Sequence, residues 1–283
     1  VMASFKKALK IAHDGFYDLD RPVDYLMDPT PSRFTAWVDE YLAHPCPIAF
    51  DIETSYSVRK HSEEDFDESE FDKEILRISF AYKAGHAVSV PFSPEYFPDI
   101  RRILENAEMK NVWNGRAFDK RILEYNNFLV NGPLFEAMDA WHFLHSDLDK
   151  GLEFVAGICT TIPPWKHLSN AEPAFYSCVD SDATFEISQW LLSQLTQQGL
   201  LENFDELCTK CMYYLDRAGQ RGNYIDKERQ DILRVMLEEK SAELYNKLQT
   251  LIPDACKPIK EYKKAPKQYH RTRYVVGEAK FCT

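Results

Sequence analysis

The chain has 283 residues, about 45% apolar and 13% aromatic, enough for one large domain or a medium domain with an added module. No stretch approaches the roughly 18 consecutive apolar residues of a membrane helix, and Val1–Lys7 leads into no secretory apolar run, so a cytoplasmic protein with no membrane partner is expected. Seven irregularly spaced cysteines read as reduced thiols, not a disulfide framework, and a net charge of −11 excludes a uniformly basic surface.

Residues 1–33 carry no clear pattern and are set apart as an N-terminal segment. Phe34, Trp37, Val38, Tyr41 and Leu42 fall at helical spacing, and Pro45 and Pro47 close that helix. Ile48 to Glu53 alternates as a strand should. From Glu63 to Glu74 eight acids face Lys73 alone, a local charge of −7 that leaves −4 for all other residues; it reads as a solvated loop or as a guard that repels mispositioned polyanions. Ile75 to Tyr82 and His86 to Pro91 predict two strands joined by a turn at Lys83-Ala84-Gly85. A helix over 100–107, a short strand at Asn111–Trp113 and helices over 118–125, 137–144 and 152–160 follow. Pro173 to Leu195 predicts a long amphipathic helix with Phe175, Val179, Ala183, Ile187, Trp190 and Leu191 on its apolar side, ended by Gly199.

Strands first, then helices alternating with a strand, predict a mixed α/β layer domain over 34–200. Residues 201–283 predict a helical segment, broken near 217–222, with a basic tail. Within it Cys208-Thr-Lys-Cys211 has the spacing of half a zinc site, but nothing in the chain completes it, and it reads as thiols on a helix. In the tail, seven cations from Lys257 to Arg273 face only Glu261, and Tyr262, Tyr269 and Tyr274 are interleaved. That composition suits phosphate contact and base stacking, and equally a solvated loop.

Three elements carry candidate chemistry. On the first predicted strand, alternation sends Asp51 and Glu53 to one face, about 7 Å apart at their Cα atoms, while Phe50 and Ile52 face the core. Paired carboxylates on an apolar strand are costly without a cation, and all-oxygen ligands suit Mg²⁺ or Mn²⁺. The second element is Asn114-Gly-Arg-Ala-Phe118-Asp119, where Asp119 opens a helix; the third is Tyr176-Ser-Cys-Val-Asp180, whose ends share a helix face. Each alone also reads as an ordinary surface or capping feature.

In this order, the three elements resemble the DnaQ-like exonucleases of the four-carboxylate class, in the subgroup with tyrosine in the third motif (DEDDy). Asp51-Ile-Glu53-Thr54 matches the first motif, Asn114 to Asp119 the second and Tyr176 to Asp180 the third. The resemblance implies an RNase H-like/DnaQ-like mixed sheet flanked by helices, and 3′→5′ hydrolysis releasing 5′-nucleotides. It also implies two divalent cations, Mg²⁺ or Mn²⁺. Asp51 would bridge both, Glu53 and Asp180 would complete one, and Asp119 would hold the other, with Tyr176 aiming the attacking water. Thr54, Tyr56 and Asn114 are the candidate substrate contacts, and Thr54 and Tyr56 read equally as packing residues. A looser resemblance, from Tyr214 to Leu233, is to the junction between exonuclease and thumb in family A (DNA polymerase I type) enzymes. It implies proofreading at a single-stranded or frayed DNA 3′ end, with a polymerase domain in the same or a separate chain, of a phage-encoded kind. The alternatives are an RNA-processing exonuclease of the same class and a catalytically dead nucleic-acid-binding scaffold.

Overall fold

The strand alternation is realised as two contrasting faces of one sheet. In this computed structural model, residues 22–55, 74–222 and 224–253 are described, together with the backbone of two short strands near the end. Six strands run β1 (Asp24–Met27), β2 (Ile48–Thr54), β3 (Ile75–Lys83), β4 (His86–Pro91), β5 (Lys110–Val112) and β6 (Leu134–Glu136). Their spatial order is β1-β4-β3-β2-β5-β6. The β2–β3 and β3–β4 pairs are antiparallel, and β1–β4, β2–β5 and β5–β6 are parallel.

One face is greasy. Register places Phe50, Phe80 and Val88 in one cross-strand row, and Ile52, Ile78 and Val90 in the next. Against them pack α1 (Pro31–Ala43), through Phe34, Trp37, Val38 and Tyr41, and α2 (Phe97–Leu104), through Ile100, Ile103 and Leu104. Helix α3 (Asp119–Tyr125) adds Ile122 and Leu123 to the same core. The opposite face is built of small residues: Ala49, Ala81 and Ala87 form one row, and Asp51, Ser79 and Ser89 the next.

Over this second face lies α6 (Pro173–Gln197), which touches β1 to β5 and also α4 (Ala137–Leu144) and α5 (Leu152–Cys159). Its small side chains allow close approach: Cys178 packs with Ala81 and Ala87, and Ser177, Ser181, Thr184 and Ser188 are all buried. The expected amphipathic helix is therefore corrected. With the sheet on one side and α4 and α5 on the other, α6 has no fully wet face along its central turns. Val179, Ala183, Ile187 and Leu191 fill the second core, on the α4–α5 side.

Two strands of the six-stranded sheet lie where no strand was expected. In β1, Tyr25 Oη donates to Asp182 Oδ2 at 2.6 Å, and Asp182 Oδ1 accepts from Gly85 N at 2.9 Å. One buried α6 carboxylate thus holds both β1 and the β3–β4 turn. Strand β6 follows Gly132, at φ +83°, where a Cβ would stand 2.3 Å from the Glu108 carbonyl oxygen. After α6 come α7 (Leu201–Phe204), a π-helical turn at Asp205–Lys210 and α8 (Cys211–Arg221).

The chain divides into two units, Val1–Gln220 and Arg221–Thr283. The second contains α9 (Lys227–Leu251), capped by Asp226, which accepts from Arg229 N at 3.0 Å. It also contains the antiparallel pair β7 (Tyr274–Val276) and β8 (Ala279–Phe281). The core of the acidic run and most of the basic tail lie outside the described residues. Among the described residues, no helix is long and apolar enough to cross a membrane.

Candidate active site

Strand β2 presents Asp51 and Glu53 to the small-residue face, since Phe50 and Ile52 are committed to the opposite core with 1% and 5% exposure. A register irregularity falls at Glu53/Thr54, where the β2–β3 ladder passes from the Glu53–Arg77 pair to the Thr54–Ile75 pair. Such irregularities re-aim the side chains at a strand end. From above, α6 lowers Asp180 into the same space. Carboxylate oxygens of Asp51, Glu53 and Asp180 all lie within 4.8 Å of one another. Asp180 is buried, Asp51 and Glu53 are partly buried, and Glu53 Oε1 is a buried oxygen without a hydrogen-bond partner among the described residues.

Asp119 reaches the site from the side. The β2–β5 ladder pairs only Ile48 and Ala49 of β2. Beyond it, the Ile52 N–H donates to Asp119 Oδ1 at 2.9 Å, so a side chain takes the place of a strand neighbour. Asp119 is buried at the first position of α3, where the helix dipole favours an anion. The turn before it depends on Glu136, which accepts from Asn114 N at 2.6 Å and Arg116 N at 3.0 Å. Asn114 has a left-handed φ of +59°, and a Cβ at Gly115 would sit 2.5 Å from Val112 Cβ. Glu136 clamps this turn; no local sequence signal announces it.

Four acids in one dry pocket repel each other. Burial first, then Asp119, Asp180 and Glu53, raises the Asp51 carboxyl well above the usual carboxylate range. Burial, followed by Asp180, pushes Glu53 up to about 7, and burial pushes Asp119 up to about 7 against the hydrogen bond from Ile52. Asp180 is also raised by burial, although Lys166 and Trp165 hold it down. Burial, followed by Asp180, raises Tyr176, which keeps the phenol neutral.

The residues missed from sequence are those beneath Asp180. Lys166 Nζ donates to both Asp180 oxygens at 2.7 Å and to Tyr176 Oη at 2.9 Å. Trp165 Nε1 donates to Asp180 Oδ1 at 2.5 Å. Glu153 Oε1 fixes their backbone, accepting from Trp165 N at 3.0 Å and Lys166 N at 3.2 Å. The Pro163-Pro164-Trp165-Lys166 run precedes the third motif and carries no periodicity to mark it.

Of the remaining candidates, Thr54 is partly buried at the end of β2, Asn114 is exposed with its backbone N–H on Glu136, and Tyr56 lies outside the described residues. Cys208 is partly buried against the second core and Cys211 is exposed, both as free thiols. Along α3 and α8 lies a cavity of about 490 Å³ lined by Arg116, Lys120, Arg121, Arg217 and Tyr213, with Glu124 and Asp216 as its acids.

No family model and no curated protein matches the chain. Among solved structures it is similar to a protein described as the apo form of a nuclease, with TM-score 0.51 and 16% identity over 73% of this chain and 98% of that one. Brucella melitensis NrnC bound to pGG gives TM-score 0.50 and 17% identity over the same shares. Escherichia coli RNase D, described as an exoribonuclease involved in structured RNA processing, gives TM-score 0.42 and 13% identity over 66% of this chain and 49% of that one. The mixed six-stranded sheet flanked by helices is the RNase H-like/DnaQ-like fold.

Proposed function

We propose that the chain is a metal-dependent 3′→5′ exonuclease, with Asp51, Glu53 and Asp180 holding one divalent cation and Asp51 and Asp119 the second. The observation that carries this reading is the convergence of three carboxylates within 4.8 Å of one another, with a buried Glu53 oxygen that lacks a partner among the described residues. An all-oxygen donor set fits Mg²⁺ or Mn²⁺ better than zinc. Such cations, when bound, supply Lewis-acid polarisation of a phosphate and a nucleophile from water at neutral pH.

The chain's own groups do the positioning. Asp119 is held by the Ile52 N–H through one carboxylate oxygen. Tyr176, a neutral phenol one helical turn from Asp180, offers a hydroxyl that orients the attacking water without itself taking the proton. Thr54, Tyr56 and Asn114 contact the terminal nucleotide. The cations of the α3–α8 cavity suit the phosphates of the strand behind it.

The substrate we assign is a single-stranded or frayed DNA 3′ end, in proofreading for a family A polymerase. Support comes from the sequence between Tyr214 and Leu233, which resembles the junction of such enzymes. A second reading, trimming of short RNA, is favoured by the likeness to a protein described as bound to pGG. Incubating the chain with 5′-labelled DNA and RNA of one sequence, with Mg²⁺, Mn²⁺ or EDTA, tests all of this. The expected result is metal-dependent shortening from the 3′ end, faster for DNA. Faster cleavage of RNA selects the second reading. No shortening of either strand in Mn²⁺ overturns the enzyme and leaves a binding scaffold.

A further inference from the structure

Lys166 places its ammonium on the carboxylate of Asp180, read above as a metal ligand. It takes both carboxylate oxygens at 2.7 Å and the Tyr176 hydroxyl at 2.9 Å, and lies 4.6 Å from the centre of the Tyr176 ring. Its backbone is pinned to Glu153 along with that of Trp165, so the contact is built in and not a chance meeting of long side chains. The Lys166 side chain is 34% exposed against 5% for Asp180, which leaves it a way out toward solvent. A lysine ammonium and a divalent cation drawn to the same oxygens of one carboxylate repel each other.

We propose that Lys166 is a positioning residue that holds Asp180 and Tyr176 in the metal-free protein and competes with the divalent cation for Asp180. This rests on the reading of Asp51, Glu53 and Asp180 as metal ligands. While Lys166 occupies Asp180, the ligand set is incomplete, and the metal's apparent affinity is its intrinsic affinity reduced by the fraction of molecules in which Lys166 has moved aside. By linkage, the metal displaces Lys166 as strongly as Lys166 opposes the metal. Lys166 is thus an internal stand-in whose charge lets the acids stand close together until a cation arrives.

The test is Mn²⁺ titration calorimetry on wild type, Lys166→Met, Lys166→Arg and Asp180→Ala, with thermal melts in EDTA and in saturating Mn²⁺. Lys166→Met should bind Mn²⁺ at least about tenfold more tightly than wild type, because it keeps the stem and removes the charge. Lys166→Arg, which keeps the charge, should bind Mn²⁺ more weakly than Lys166→Met. In EDTA, Lys166→Met should melt below wild type, and Mn²⁺ should close the gap. If Lys166→Met folds only with Mn²⁺, the proposal is supported; if it folds in neither condition, Lys166 is simply structural and the proposal fails. Wild-type binding that Asp180→Ala abolishes, with Lys166→Met equal to or weaker than wild type, overturns this inference alone. Absence of Mn²⁺ binding by every folded protein overturns the metal-ligand reading as well.

Discussion

Glu53→Gln removes a charge that the metal-free pocket cannot solvate. Burial and then Asp180 move the Glu53 carboxyl from an ordinary 4.5 up to about 7. The folded chain therefore holds this proton more tightly than the unfolded chain does. The corresponding stability is fully present below the ordinary value and is lost as pH rises through about 7. At about 1.36 kcal/mol per pH unit the displacement corresponds to roughly 3 kcal/mol. Glu53 is only partly buried, so about 1–2 kcal/mol remains after solvent screening. In a domain of this size ~1 kcal/mol moves the melting temperature by about 2–4 °C. Glu53→Gln should thus melt about 2–8 °C above wild type at about pH 8 in EDTA, and close to it at about pH 5. Saturating Mg²⁺ or Mn²⁺ should reverse the order at the higher pH, because wild type alone keeps the full ligand set. Scanning calorimetry at the two pH values reads this directly. A variant that melts at or below wild type at the higher pH, or that gains equally at both, refutes the claim that ionised Glu53 is held at a cost.

Asp182→Ala leaves Tyr25 Oη and Gly85 N without their buried acceptor and should lower stability by about 2–4 kcal/mol, read as a shift in urea midpoint at constant slope. Glu136→Ala frees the N–H groups of Asn114 and Arg116; faster hydrogen exchange over 114–119 should accompany a loss of about 1–3 kcal/mol, while unchanged protection would refute its clamping role. On the proposed reading, in which Asp51 is a metal ligand and Tyr176 an aiming hydroxyl, Asp51→Ala should cut the rate of 3′-end shortening at least about hundredfold and Tyr176→Phe only about tenfold. Near-normal rates in Asp51→Ala would sink the ligand assignment.

The greasy half of the sheet was legible because alternation in Ile48–Thr54 and Ile75–Lys83 survives as two buried rows, Phe50–Phe80–Val88 and Ile52–Ile78–Val90. What alternation could not announce were β1 and β6. They have four and three residues, and each is fixed by distant groups: Asp182 for β1, and the close approach of Gly132 to Glu108 for β6. Helix α6 was legible as a helix but not in its burial, because Ser177, Ser181, Thr184 and Ser188 count as polar in any periodicity and yet are buried. Asp51, Glu53, Asp119 and Asp180 were picked out through the resemblance of their three motifs, taken in order, to a known family, since each motif alone also reads as an ordinary surface or capping feature. Lys166 could not, since its partner lies 14 residues away across a loop without a repeat.

These two kinds of residue are connected. Close approach of α6 to the sheet requires small side chains, and small polar ones leave unmet hydrogen-bonding groups: Ser79 Oγ, Ser177 Oγ and Thr184 Oγ1 are buried without partners among the described residues. An apolar interface would be more stable there, since each such group costs about 1–3 kcal/mol. The same layer carries the Asp51, Glu53 and Asp180 carboxylates, all raised by burial. Packing alone would favour neither feature, whereas both are expected where a helix must stand close enough to a strand for their carboxylates to act on one cation. The polar seam under α6 is therefore the structural cost of bringing Asp180 to Asp51, and Lys166 offsets part of it in the metal-free protein.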